Sequence, residues 1–228
     1  MSNPKLNLNK LNKKDILKLW NWKCSHGHNG ISHYGCYCRE HGIEETVGFL
    51  DIEASNLHAD FGVMLSWCIK PQTKKKILAD VITIDDCDNS KFDYRIVKSC
   101  IEAMTKFDRI VTHYGDRFDI PFIRTRAIHW GLDFPRYGEL MHTDVWRIAR
   151  QKLRLHSNRQ GSVAQTLLHE DIKTRVNPQI WMEVQMGSPK VRKAALRYIL
   201  DHNKKDVIQL QGNYEHLVKY TKNSRRSI

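Results

Sequence analysis

A mixed α/β fold, a β-sheet flanked by helices with a small Cys/His-rich extension ahead of it, is predicted by three features of the sequence. From Val47 onward, short apolar runs alternate with stretches of helical periodicity, with no internal repeat and no low-complexity linker. The first three apolar runs are joined by short polar connections, as in an antiparallel meander, and the later ones alternate with helices, which together describe a mixed sheet. Ahead of that pattern, seven Cys and His residues crowd into the eighteen positions from Cys24 to His41. The expected organisation is therefore an extension over residues 1–45, an α/β domain over residues 46–215 and a basic tail over residues 216–228.

The elements follow in order. Lys5, Lys10, Lys13, Lys14 and Lys18 face a single acid, Asp15, while Ile16, Leu17, Leu19, Trp20 and Trp22 supply an apolar side, so a short basic amphipathic helix is expected before the Cys/His segment. Val47 to Ile52, Val63 to Ile69 and Ile77 to Thr83 read as three strands. Ser90-Lys91-Phe92-Asp93 resembles a capping box opening a helix to about Lys106, with Ile96, Val97, Cys100, Ile101 and Met104 on one face. Arg109 to His113 is a fourth strand, Phe118 to Trp130 a helix ended by Gly131, and Leu140 to Thr143 a short strand running into a helix through Trp146 and Ile148. The last third is helical: Ser162 to His169, then a long helix capped by Ser188, opened by Pro189 and running from Lys190 to about Gln211. Lys219, Lys222, Arg225 and Arg226 make the tail basic.

With 37 Lys plus Arg against 25 Asp plus Glu in 228 residues, the net charge is +12. Such an excess favours a polyanionic partner, because Lys and Arg neutralise phosphates and release their condensed counterions. The length suits one domain with additions and excludes a large multi-domain enzyme. The longest apolar stretch, Gly62 to Ile69, is far short of the roughly 18 residues of a membrane helix. Met1-Ser2-Asn3-Pro4 lacks a signal-peptide core, so a cytoplasmic location is expected.

Without a secretory signal the six cysteines read as thiols or metal ligands. Cys68 and Cys100 fall in apolar patterns and read as core residues, and Cys87 falls in a polar loop. Cys24, His28, His33 and Cys36 have the residue types and spacing to close a zinc knuckle around turns at Gly27 and Gly30, with His26, Cys38 and His41 as rival ligands.

The catalytic candidates are carboxylates. Asp51-Ile52-Glu53 ends the first strand, and the period of two places both acids on one face while Ile52 points into the core. Asp119 sits among apolar residues at a helix start, where burial penalises an unpaired charge. His202 and Asp206 lie one turn apart on the long C-terminal helix. Asp51, Glu53, Asp119 and Asp206 would bind two hard divalent cations through oxygen, and such a pair activates a water against a phosphodiester and stabilises the leaving oxygen. His202 is the candidate general base, since imidazole titrates near neutrality.

Three segments carry a family resemblance: Asp51-Ile52-Glu53-Ala54-Ser55; His113-Tyr114-Gly115-Asp116-Arg117-Phe118-Asp119-Ile120-Pro121-Phe122; and His202-Asn203-Lys204-Lys205-Asp206-Val207. They resemble the exonuclease motifs of the DEDD superfamily, and the chain is most similar to stand-alone relatives of the family-B DNA polymerase proofreading domain, over about Gly48 to Gly212. The resemblance implies an RNase H-like fold and 3′-to-5′ removal of nucleotides with Mg²⁺ or Mn²⁺. The expected partner is nucleic acid, single-stranded DNA ahead of RNA. Two positions depart from that branch: His202 stands where Tyr is usual, and His113 where Asn is common. Tyr198, two turns before Asp206, is the other candidate for the Tyr role. Two alternative readings are a zinc-containing nucleic-acid-binding module without useful catalysis and an RNase H-type endonuclease.

Overall fold

A computed structural model describes residue 6, residues 11–88, 90–169 and 177–221, and residue 228. At its centre is a five-stranded sheet in the order β3-β2-β1-β4-β5, formed by β1 (Val47–Ala54), β2 (Met64–Pro71), β3 (Leu78–Val81), β4 (Arg109–Thr112) and β5 (Met141–Asp144). The β1–β2 and β2–β3 pairs are antiparallel and the β1–β4 and β4–β5 pairs parallel, the mixed sheet expected. β1 is the central strand and its apolar residues are buried on both faces, which its composition permits because only Asp51 and Glu53 interrupt the apolar run. Gly48 is required there: a Cβ would come within 2.8 Å of Ile69 Cγ2 and 3.0 Å of the Phe107 ring.

Alternation along β1 feeds two cores. Leu50 and Ile52, with Trp67 and Ile69 of β2, pack against α4 (Tyr94–Met104) and α5 (Asp119–His129). Val47 and Phe49, with Cys68 and Val111, face α6 (Val145–Lys152), α7 (Gln160–Leu168) and α9 (Pro189–Leu217). Cys68 and Cys100 are both fully buried, as their apolar surroundings in the sequence imply. The predicted face of α4 is likewise buried at Ile96, Val97, Cys100, Ile101 and Met104.

Several local expectations differ from the structure. Asp93 immediately precedes α4, but its side chain makes no capping bond. Its carboxylate accepts instead from Arg126 at 2.6 Å, from the Met64 amide at 2.9 Å and from Trp130 Nε1 at 2.8 Å, because a buried guanidinium from α5 is a stronger partner than a local amide. Cys87 belongs to a short helix, α3 (Ile84–Asp88), and is partly buried against the first core, not in a polar loop. A further helix, α8 (Pro178–Met186), goes beyond the elements expected, although Asn177 caps it by accepting from the Gln179 amide and Pro178 opens it. α9 opens at Ser188-Pro189 as expected and continues to Leu217, beyond Gln211, because Leu210, Tyr214 and Leu217 keep contributing to the second core.

The N-terminal segment holds α1 (Lys13–Asn21) and α2 (Tyr34–Glu40). The apolar side predicted for α1 is only partly used: Leu19 is buried, whereas Leu17 and Trp20 are each 59% exposed. Trp22 continues past α1 to place its ring edge-on to Tyr37 and to donate from Nε1 to Glu40 at 3.1 Å. Lys5, Lys10, Lys222, Arg225 and Arg226 lie outside the described residues. Ile228 is buried against the first core and its amide donates to the Leu140 carbonyl at 3.0 Å. Among the described residues no helix is long and apolar enough to cross a membrane.

Candidate active site

Because β1 alternates, Asp51 and Glu53 emerge on the α9 side of the sheet, in register with Cys68 and Ser66 of β2. Burial and then the charge of Asp51, its register partner, push the Cys68 thiol up. α9 crosses this face, held by Ile199, Val207 and Leu210 and by Asn203, whose Nδ2 donates to Ser66 Oγ at 3.2 Å. The crossing brings His202 and Asp206 to Glu53. His202 Nδ1 lies 2.7 Å from Asp206 Oδ2 and 3.8 Å from Glu53 Oε1, and one ligand atom from each of the three residues falls within 4.8 Å of the others. Lys204 turns away to Asp201, at 3.2 Å. Tyr198 is nearby, its ring centre 6.5 Å from that of His202.

Asp119 is the first residue of α5 and is 3% exposed. β1 runs on past its last pair with β4, Phe49 with Val111, and Asp119 Oδ1 accepts from the Ile52 amide at 3.1 Å in place of a strand partner. Burial, and next the charge of Asp51, push the Asp119 carboxyl well above the ordinary range, partly offset by that amide. A buried carboxylate held against a second one is destabilised when ionised, and an oxygen-seeking cation between them removes the repulsion. The residues therefore fit divalent metal: Glu53 and Asp206, which converge with His202, and Asp51 and Asp119, which act on each other, could offer hard oxygen ligands.

The turn that leads into Asp119 is built by a residue outside the predicted catalytic set. Asp144 ends β5, where Oδ1 accepts from the Tyr114 amide at 2.8 Å and from the Trp146 amide at 3.0 Å, and Oδ2 from the Asp116 amide at 3.2 Å. One carboxylate thus caps α6 and holds the β4–α5 turn, in which Tyr114 has a φ of +70° and a Cβ on Gly115 would collide with Thr112. The signal in the sequence is the position of Asp144 before a helix, a place that favours a capping acid. Behind the turn, His142 bridges Thr112 Oγ1 at 2.9 Å and Asp116 Oδ1 at 2.9 Å, and Arg147 pairs with Asp116. The hydrogen bond with His142, ahead of the charges of His142 and Arg147, holds the Asp116 carboxyl below its ordinary range. His113 is turned away to this support layer, with Nε2 donating to the Asn158 carbonyl at 2.9 Å, and burial lowers its pKa.

The Cys/His segment forms a second cluster. Its converging side chains are Cys24, His26, His33 and Cys36, not the expected quartet with His28, and their ligand atoms all lie within 4.8 Å of one another. His28 instead sets its ring at a tilt against that of His33, 4.0 Å between centres, because the turn at Gly27, where φ is +79°, carries the chain around and leaves His26 on the inner side. The rivals are otherwise engaged: Cys38 is buried and hydrogen-bonded with Tyr34, and His41 stacks on Tyr37 and donates from Nδ1 to the Tyr37 carbonyl at 2.9 Å.

Comparison with known proteins agrees with this architecture. A model of the RNase H superfamily matches residues 48–218, and the chain belongs to that superfamily. Among solved structures it is similar to the family B DNA polymerase from the hyperthermophilic archaeon Pyrobaculum calidifontis, with a TM-score of 0.58 and 17% sequence identity over 78% of this chain. The chain corresponds to 25% of the polymerase's length, and at that identity the likeness is one of fold. No curated protein matches the sequence.

Proposed function

We propose that residues 46–215 are a metal-dependent 3′-to-5′ exonuclease acting on single-stranded DNA. The observation that carries the reading is the meeting of Glu53 from β1 with His202 and Asp206 from α9, beside Asp51 and the buried Asp119. Superfamily membership and the order of the three motifs support the same reading. Asp51, Glu53, Asp119 and Asp206 would hold two Mg²⁺ or Mn²⁺ ions, which supply an acidified water and charge stabilisation at the scissile phosphate.

The side chains divide the remaining work. Asp206 faces His202 Nδ1 and fixes the imidazole, so that Nε2 is the nitrogen that takes the proton of the attacking water. Asp119, tied to the Ile52 amide, keeps its carboxylate in line with Asp51 through the rigid centre of the sheet. The basic surface draws the strand in. Degradation of a 5′-labelled single-stranded oligonucleotide in Mn²⁺ should yield a descending ladder. A 3′-phosphorothioate end should block it, and Asp51→Ala or Asp119→Ala should abolish it. Cleavage of circular single-stranded DNA would reject the exonuclease reading in favour of an endonuclease.

A further inference from the structure

We propose that Cys24, His26, His33 and Cys36 bind one zinc ion, and that this ion takes the place of a hydrophobic core in the N-terminal segment. Zn–S bonds of about 2.3 Å and Zn–N bonds of about 2.0–2.1 Å at tetrahedral angles put sulfur and nitrogen about 3.6 Å apart. The four sulfur–nitrogen edges of the cluster are close to that value: Cys24 Sγ lies 3.7 Å from His26 Nδ1 and 3.6 Å from His33 Nδ1, and Cys36 Sγ lies 3.9 Å and 4.0 Å from the same two atoms. Two thiolates and two imidazoles at such corners are a zinc donor set, and four protein ligands close the coordination sphere, which marks a structural site.

The backbone is arranged to deliver these atoms. Lys23 and Asn29 form a β-bridge, the Cys24 amide donates to the His28 carbonyl at 3.0 Å, and the Gly27 amide donates back to Cys24 at 2.8 Å. This small hairpin sets Cys24 and His26 on one side of its turn. His33 and Cys36 come from the start of α2, three positions apart and so on one helical face.

A second observation explains the need for an ion. Among the described residues before Val47, the buried hydrophobic side chains are only Leu19, Cys24, Tyr37 and Cys38. That is too little apolar surface to order two helices and a hairpin, and small units of this kind use a metal or disulfides instead. No disulfide involves Cys24 or Cys36. The ion would clamp the hairpin after α1 onto α2. It would also stand apart from the carboxylates, because the segment meets the sheet near Asp108, whose charge acts on Tyr34 and Cys38, at the end of β1 opposite Glu53. Val47 and Glu53 are six residues apart along β1, about 20 Å at roughly 3.3 Å per residue.

The test uses the full chain, without a histidine tag, saturated with Zn²⁺ and dialysed against metal-free buffer. The expected result is one zinc per chain by elemental analysis. Replacement by Co²⁺ should give thiolate-to-cobalt charge transfer and the intense visible bands of a tetrahedral site. His28→Ala and Asp119→Ala should keep the zinc, which separates this site from the carboxylates, whereas Cys36→Ser and His26→Ala should lose it and open residues 11–46 to limited proteolysis while the strands β1 to β5 stay resistant. Substoichiometric zinc in the wild-type chain, or zinc kept by His26→Ala and lost by His28→Ala, would overturn the proposal.

Discussion

Asp119 shows how one side chain couples stability to protonation and, on the proposed function, to metal. Its carboxyl is raised in the folded chain by burial and by Asp51, so the unfolded chain releases that proton more easily. The associated stability is fully present below the ordinary carboxylate pKa and is lost as pH rises through the raised folded value. In metal-free protein Asp119→Asn should therefore raise Tm, with a larger gain at pH 8 than at pH 5, while removing activity. Mn²⁺ should stabilise the wild-type chain more as pH rises, because it binds the ionised form, and should do so far less for Asp119→Asn. Thermal melts at the two pH values, with and without Mn²⁺, check both statements. At the neighbouring position, His202→Ala should slow single-turnover cleavage by about two to four orders of magnitude with the metal-induced Tm shift largely kept, the expectation for a base held by Asp206.

At the scale of elements, two carboxylates lock helices to the sheet. Asp93 and Arg126 form a buried pair that joins β2, α4 and α5, with Arg126 Nη1 also donating to the Ala59 carbonyl at 3.1 Å in the loop after β1. Arg126→Ala leaves Asp93 buried without its cation and should cost about 3–5 kcal/mol in a urea melt. Asp144 ties the end of β5 to the turn before α5 and to the start of α6. Asp144→Ala strands three amides and should cost about 1–3 kcal/mol. Its activity should fall further than global stability accounts for, because the released turn is the one that aims Asp119. Asp144→Asn, which keeps one acceptor oxygen, should recover part of both.

For the molecule as a whole, charge and site are complementary. On the proposed function, the net charge of +12 would attract the strand and the motif acids Asp51, Glu53, Asp119 and Asp206 would be where it is hydrolysed. Lys13, Lys14 and Lys18 are exposed on α1. Replacing all three by Ser should weaken single-stranded DNA binding and lower the slope of log K against log salt by up to about 0.7 for each phosphate that these side chains neutralise. Turnover of a short oligonucleotide at saturation should change little, since that helix belongs to the segment at the far end of β1 from Glu53. Fluorescence anisotropy over a salt series, beside single-turnover cleavage, separates the two effects.

Local pattern was enough for most of the elements and for the placement of two pairs of motif residues, Asp51 with Glu53 and His202 with Asp206. Period two placed Asp51 and Glu53 on one face, i,i+4 spacing joined His202 to Asp206, and Ser188-Pro189 marked the start of α9, because each of these depends on neighbours within one turn or one pleat. Tertiary structure alone decided which partner each polar group took. Asp93 left its capping role for Arg126, 33 residues away, Asp144 became the tie for a turn 30 residues earlier, and a hairpin turn exchanged His28 for His26 in the Cys/His cluster. The reason is physical: a buried charge or a ligand atom goes to whatever donor folding brings within about 3 Å, and that choice rests on the packing of distant elements, which sequence spacing does not encode.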